Sequence, residues 1–346
     1  MGLGFGNVGF GQLARQMGRW VPPALLRHAG QPAALFFHGV EPGTQDPRLQ
    51  TNHHETRHFR AILTALKEFD VLPLSMIDEV LANPARHRRS IFLMSDDGYR
   101  NTLTVAADIL DEFRMPWTLF VSTAHVGSGL PNPIFIAWLF FLHAPQGEYV
   151  LPHFPHALRL DDAESRENTG FLAADHLRFL PAEKAEEALA VMRAAFAPGK
   201  LEALIARFTS EHFLDWDEVR ALARRGVTIG AHADTHWPMH AKQSQTWLTR
   251  QAFHARQEIE REVGPCRFFA YPFGNKKDVG PAAWRAVRDA GFSHGFTTLS
   301  GSLAAGGNPW LLPRYGLGPR DSHIGSLAPL LFAGNPRLRA WQESLA

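Results

Sequence analysis

Ser90-Ile91-Phe92-Leu93-Met94-Ser95-Asp96-Asp97-Gly98-Tyr99 is the stretch on which the fold turns. An apolar run this short, closed by Asp-Asp-Gly, predicts a buried strand that stops in a sharp turn, since glycine tolerates backbone angles that other residues avoid. On a continuing strand the side chains of Asp96 and Asp97 would point to opposite faces. Gly98 permits a turn that brings both to one cavity. Two ionised carboxylates in one cavity repel each other, and a divalent cation relieves that repulsion while leaving one carboxylate as a base. Asp-Asp-Gly alone also describes an ordinary turn; the strand in front of it is what points to a site.

Outward from this stretch, short apolar runs alternate with segments of helical period, the pattern of an α/β chain with a parallel sheet or barrel. Upstream, residues 33–37 form a strand ending at His38, and residues 58–69 a helix with Phe59, Ile62, Leu63 and Leu66 on one face. A strand is expected at 71–74 and a helix at 76–81, capped by Ser75. Downstream come a helix over 101–113 and a strand over 117–121. The alternation then breaks. Residues 128–212 hold an apolar stretch, a proline-punctuated polar segment and a helical pattern over 182–208, and predict a mostly helical insertion. It resumes with a helix at 216–225 behind Asp215, a strand at 227–230 and a helix at 246–263. A strand at 267–271, a helix at 281–290 closed by Gly291, a strand at 294–298 and an extended segment at 310–317 complete it. The expected organisation is a leader at 1–30, one domain at 31–320 and a tail or helix at 321–346.

Composition removes several function classes. The chain has 346 residues and a formal net charge of +1, without the basic excess that phosphate binding normally leaves, so nucleic acid is not an expected partner. A single cysteine, Cys266, excludes an internal disulfide and any site of several thiolates. A metal must then be held by His and carboxylate, and the 18 histidines are the feature to explain. Arg15, Arg19 and Arg27 interrupt the apolar residues of the amino terminus, so a secretory signal is not expected and the cytoplasm is. The pattern of Phe10, Leu13, Met17 and Trp20 with arginines between them is compatible with peripheral contact at a membrane surface.

Polar clusters fall at the carboxyl ends of the expected strands, the face where active sites of parallel barrels assemble: His38, Asp96 to Tyr99, His232 to His236, and Tyr271-Pro272-Phe273-Gly274. His232 and His236 can meet on one turn and, with an aspartate, leave an open position on a hydrolytic metal. Spacing by itself decides little, because His54 with His58 and His236 with His240 repeat it. His54-Glu55-Thr56-Arg57-His58 even spells the H-E-x-x-H pattern of zinc metalloproteases, which requires an apolar-flanked helix and a third ligand. Trp237, Phe273 and Trp310 are candidates to stack on a sugar ring or to pack in the core.

Three ordered motifs, Ser95-Asp-Asp-Gly-Tyr99, Gly230-Ala-His-Ala-Asp-Thr-His236 and Phe269-Ala-Tyr-Pro-Phe-Gly274, resemble those of the polysaccharide deacetylases, carbohydrate esterase family 4. Leu35-Phe-Phe-His-Gly-Val40, Leu214 to Arg220 and Leu312-Pro-Arg314 extend the resemblance over residues 33–125 and 213–317. It implies a distorted (β/α) barrel and metal-dependent removal of an N-acetyl group from a polysaccharide, an oligosaccharide or a glycan intermediate. It also implies Asp96 as general base, Asp97, His232 and His236 as ligands of a divalent metal, usually zinc, and a backbone N–H near Tyr99 as an oxyanion donor. Tyr99, Tyr271, Pro272, Phe273 and Trp237 would contact the sugar. The acid for the leaving amine is His38 by the place of Phe37-His38, with His323 as the other candidate.

Two departures stand against the family pattern: Ser95 where a phenylalanine is usual, and Ala270 where many members have an arginine that orients the base. Without that arginine the Asp96 pKa is expected to depend on the metal and on burial. The departures, with the missing late histidine of some relatives, also motivate a second reading, a catalytically silent glycan-binding protein, and the H-E-x-x-H match a third.

Overall fold

A computed structural model describes residues 30–321 together with Leu327 and Leu330. The leader with its amphipathic pattern, His323 and nearly all of the tail lie outside the described residues. The strands are β1 Ala33–Phe37, β2 Gly39–Glu41, β3 His53–Glu55, β4 Asp70–Val71, β5 Ser90–Ser95, β6 Trp117–Val121, β7 Gly147–Tyr149, β8 Leu158–Leu160, β9 Thr228–Ala231, β10 Phe268–Ala270, β11 His294–Phe296 and β12 Tyr315–Gly316. The main sheet runs β11-β10-β9-β6-β5-β1-β12, with β4 also on β5, and all of its pairings are parallel. A parallel bridge between Phe296 and Leu312 brings the two ends of the curled sheet together. The result is a distorted (β/α) barrel.

Period-2 alternation builds two cores from the same strands. Leu35 and Phe37 of β1, and Ile91 and Leu93 of β5, pack outward against the helices. Phe36, Phe92 and Met94 fill the barrel interior with Phe120, Phe268 and Phe296. The outer layer includes α1 Thr56–Leu66, whose buried face is Phe59, Ile62, Leu63 and Leu66, as its 3.6-residue period requires. After β4, α2 Ile77–Ala82 and a π-turn at Thr102–Ala106 leading into α3 Ala107–Phe113 follow.

Between β6 and β9 the chain carries α4 Pro133–His143, an antiparallel β7–β8 hairpin, α5 Ala163–Arg178, α6 Ala182–Ala194 and α7 Lys200–Arg207. α8 Trp216–Arg224 opens on a capping box, with Asp215 accepting from the Glu218 N–H and Glu218 reaching back to the Asp215 N–H. α9 Gln245–Glu262 and α10 Pro281–Asp289 follow; no helix among the described residues is long and apolar enough to cross a membrane.

Some expectations shift, each for a local reason. The strand expected at 71–74 is only β4, and a 3₁₀ turn at Leu74–Met76 contains Ser75, so Met76 is the N-cap of α2 and no side chain caps it. The helix expected over 182–208 is two, divided where Pro198 precedes Gly199 at a φ of 75°. The H-E-x-x-H helix does not form. His54 and Glu55 lie on β3, and α1 begins only at Thr56.

His54 is instead a buried structural residue. Its Nε2 faces the Leu317 carbonyl at 3.1 Å and its Nδ1 faces His58 Nδ1 at 3.1 Å. Burial, reinforced by the His58 charge, lowers its pKa to about 3. The folded state therefore holds the neutral ring while the unfolded chain protonates below about 6.5. Stability is full above that pH and is lost as pH falls toward the folded value, by about 2 kcal/mol at pH 5 from this residue. Urea midpoints at pH 7 and pH 5 check this: the wild type should lose more stability on acidification than His54→Asn, and equal losses would remove His54 from the account.

Candidate metal centre

β5 delivers the two carboxylates by different means. Asp96 continues the inward series of Phe92 and Met94, while a further residue of regular strand would turn outward. Asp97 avoids this by taking a φ of 78°, ahead of Gly98 at 94°. The turn thus begins on the aspartate itself, one residue earlier than the glycine suggests. His236 and Phe273 also have positive φ, at 59° and 61°. Such strain, of order 1–3 kcal/mol per residue, persists where the surroundings enforce it, and here it concentrates at the cavity.

The enforcing contacts are visible. Arg100 N–H donates to the His212 carbonyl and Leu214 N–H to the Gly98 carbonyl, which clamps the Asp-Asp-Gly-Tyr turn on both sides of the Tyr99–Phe213 bridge. Tyr99 N–H takes no part in those two bonds. The loop from His232 to His236 is held from α9 by Gln251, fully buried, whose Oε1 accepts from the N–H groups of Asp234 and Thr235 and from the Thr235 hydroxyl. Ser122 Oγ donates to the His232 carbonyl and Thr123 Oγ1 to Asp234 Oδ1.

These constraints bring together Asp97, His232 and His236. Asp97 Oδ1 lies 2.9 Å from His236 Nε2 and 3.1 Å from His232 Nε2, and the three donor groups lie within 4.8 Å of one another, all buried. Burial opposes the charge on Asp97, yet His236, His38 and the close approach of both imidazoles hold the carboxyl well below its ordinary range. A converging carboxylate oxygen and two imidazole nitrogens, with cavity on the remaining side, is a donor set that fits a zinc-like divalent ion. The His232 ring is already oriented to ligate, because its Nδ1 is 2.8 Å from the Ala270 carbonyl, so Nδ1–H donates there and Nε2 keeps its lone pair. His236 Nδ1 lies 2.7 Å from Asn132 Nδ2. Cys266 is no ligand, buried in the core with its thiol pushed up to about 12 by burial.

Asp96 belongs to a different pairing. Its two oxygens receive Arg314 Nη1 at 2.8 Å and Nη2 at 2.7 Å, a bidentate bridge inside the barrel in which Arg314 is 0% and Asp96 1% exposed. The guanidinium also lies over the Phe36 ring at 4.4 Å. Burial works against the Asp96 charge, and Arg314, with help from His232 and His38, overcomes it and holds the carboxyl below its usual value. The expectation that the Asp96 pKa is set mainly by the metal and by burial is corrected: Arg314, immediately before β12, pairs with the carboxylate in the absence of an arginine at Ala270. Ser95, the other departure, donates from Oγ to the His38 carbonyl at 2.7 Å and so tethers the loop that carries His38.

A cavity of about 960 Å³ opens over these groups. His38, Tyr99 and Phe273 line it beside Asp97, His232 and His236, and burial lowers the His38 pKa against the pull of Asp97 and Asp96. Burial, with the charges of Glu211 and Asp97, pushes the Tyr99 hydroxyl well above 10, so it remains a donor between those carboxylates. Glu211, which pairs with His53 at 2.8 Å, is a wall residue that its isolated place in the sequence did not disclose. Three expected sugar contacts are not brought to the cavity. Tyr271 is core, its hydroxyl donating to the Trp310 carbonyl; Pro272 is buried behind it. Trp237 is 1% exposed, and its Nε1 donates to Glu186 of α6.

A family model described as polysaccharide deacetylase matches residues 83–294, more than half of the chain. The Streptococcus pyogenes deacetylase PplD in complex with acetate superposes with a TM-score of 0.57 at 14% identity, over 87% of this chain and 98% of that one. IcaB from Ammonifex degensii gives 0.54 at 15% identity, over 87% and 97%. A de-N-acetylase from Aggregatibacter actinomycetemcomitans gives 0.53 at 15% identity, over 86% and 99%. At such identity these likenesses establish the shared fold. No curated protein sequence matches the chain.

Proposed function

The chain belongs to the polysaccharide deacetylase family, hydrolases of carbon–nitrogen bonds, and from that premise we propose that it removes an N-acetyl group from an N-acetylated sugar at a divalent metal held by Asp97, His232 and His236. The observation that carries the reading is the division of labour between neighbours: Asp97 turns to two imidazoles while Asp96 faces the same cavity on an arginine. Zinc is the ion we assign, and it supplies Lewis acidity toward the acetyl carbonyl.

The side chains do the rest. Asp96, kept ionised by Arg314, takes the proton of the attacking water. Tyr99 N–H donates to the oxygen on which negative charge develops. His38 hands a proton to the leaving amine; its lowered pKa makes the protonated ring a minority species at neutral pH and a correspondingly strong donor. A volume near 960 Å³, at the upper end for small-molecule sites, suits a sugar with its flanking residues, and Phe273 lines it together with Phe135, Trp138 and Phe171 of the inserted segment. Against the silent glycan-binding alternative stand the Arg314 pairing of Asp96 and the Ser95 bond to the His38 carbonyl, which answer two of its three motives.

Acetate release from N-acetylglucosamine oligomers tests the reading. It should vanish on treatment with a strong chelator and return with added zinc, and release that persists in the metal-stripped protein would sink it.

A further inference from the structure

His232 and His236 face Asp97 alike and differ behind the ring. His232 Nδ1 has a carbonyl acceptor, Ala270, whereas His236 Nδ1 has the Nδ2 of Asn132 at 2.7 Å. Asn132 is also the N-cap of α4, and its Oδ1 accepts from the Ile134 N–H at 2.9 Å. With the amide so placed, Nδ2 donates to an unprotonated Nδ1, and the single hydrogen of the neutral His236 ring sits on Nε2, directed at Asp97 Oδ1. Holding a metal through Nε2 requires that hydrogen on Nδ1 instead, where it meets another donor. A half-turn of the amide removes the conflict by placing Oδ1 against Nδ1–H. It also places Nδ2 against the Ile134 N–H, and the helix cap is lost. One side chain can serve the ligand or the helix, not both.

We propose that Asn132 is a positioning residue for the metal centre, which fixes the tautomer of His236 and couples metal loading to the N-terminus of α4. The proposal rests on the metal-centre reading above. It reaches beyond it in assigning a role to a residue of the inserted segment, which none of the three barrel motifs contains.

Zinc affinity of the full chain, measured by competition with a chromogenic chelator, and melting of the metal-free protein provide the test. Asn132→Ser keeps an equivalent cap but is too short to reach His236, so the metal-free protein should melt as the wild type does while zinc affinity, no longer set by the amide, departs from that of the wild type by about 10-fold or more. Asn132→Asp offers one oxygen to each N–H, so zinc should bind at least as tightly as to the wild type. A purely structural cap predicts unchanged zinc affinity in Asn132→Ser, and that result overturns the proposal. A wild type that takes up no zinc is a separate result, which overturns the metal-centre reading itself.

Discussion

Asp96→Asn should lower acetate release by roughly 10²- to 10⁴-fold, the range typical for loss of a general base, while zinc still binds. His232→Ala should abolish release and zinc binding together, because it removes one of three donors and leaves its partner groups disordered around a cavity. The contrast between the two variants matters more than either loss. Both side chains line one cavity but meet different partners, Asp96 the Arg314 guanidinium and His232 the Asp97 carboxylate, and a fall in zinc affinity in Asp96→Asn equal to that in His232→Ala would mean that Asp96 is a ligand. The asparagine keeps the shape and one acceptor but leaves the buried Arg314 charge unpaired, so circular dichroism of that variant should match the wild type while its urea midpoint falls.

Arg314→Met should be the most destabilising single change in the barrel. Breaking a buried ion pair from one side strands the other charge, at a cost of about 3–5 kcal/mol, and here the stranded group is a carboxylate 1% exposed. The guanidinium also gives up its position over Phe36. The variant should be nearly inactive as well, since burial alone drives the Asp96 carboxyl toward its protonated form. The double variant Arg314→Met with Asp96→Asn separates the two effects. It should recover much of the lost stability, because no unpaired charge remains, and none of the activity. Urea unfolding of the four proteins makes the measurement, and a double variant as unstable as the single one would show that Arg314 acts by packing rather than by pairing.

Much of the site was legible in residue order. The strand running into Asp96 and Asp97, and the one running into His232, are short apolar runs with polar ends, and nothing in the tertiary structure competes with that pattern. Phe59, Ile62, Leu63 and Leu66 fall on one buried face for the same reason. Decoy histidines were harder. His54 and His58 have the spacing of His232 and His236 and do approach one another, but they do so from a strand and a helix around a backbone carbonyl. Where segment type and depth of burial decide, spacing carries no information.

Residue order alone determined the alternation of strands and helices, the ends at which chemistry could gather, and the absence of any thiolate site. It also supplied the candidate ligands, because local patterns of apolar and polar residues reflect which side of an element meets water. Partnerships across the barrel were decided only by the tertiary structure. Arg314 lies 218 positions from Asp96, and Asn132 lies 104 from His236. Tyr271 and Trp237, aromatic neighbours of the motifs, turned into the core and left Phe273 at the cavity. A buried charge takes whichever opposite charge the closed barrel brings within hydrogen-bond reach, and a ring takes the side on which it sheds most water. Both depend on distances that exist only once the chain has folded.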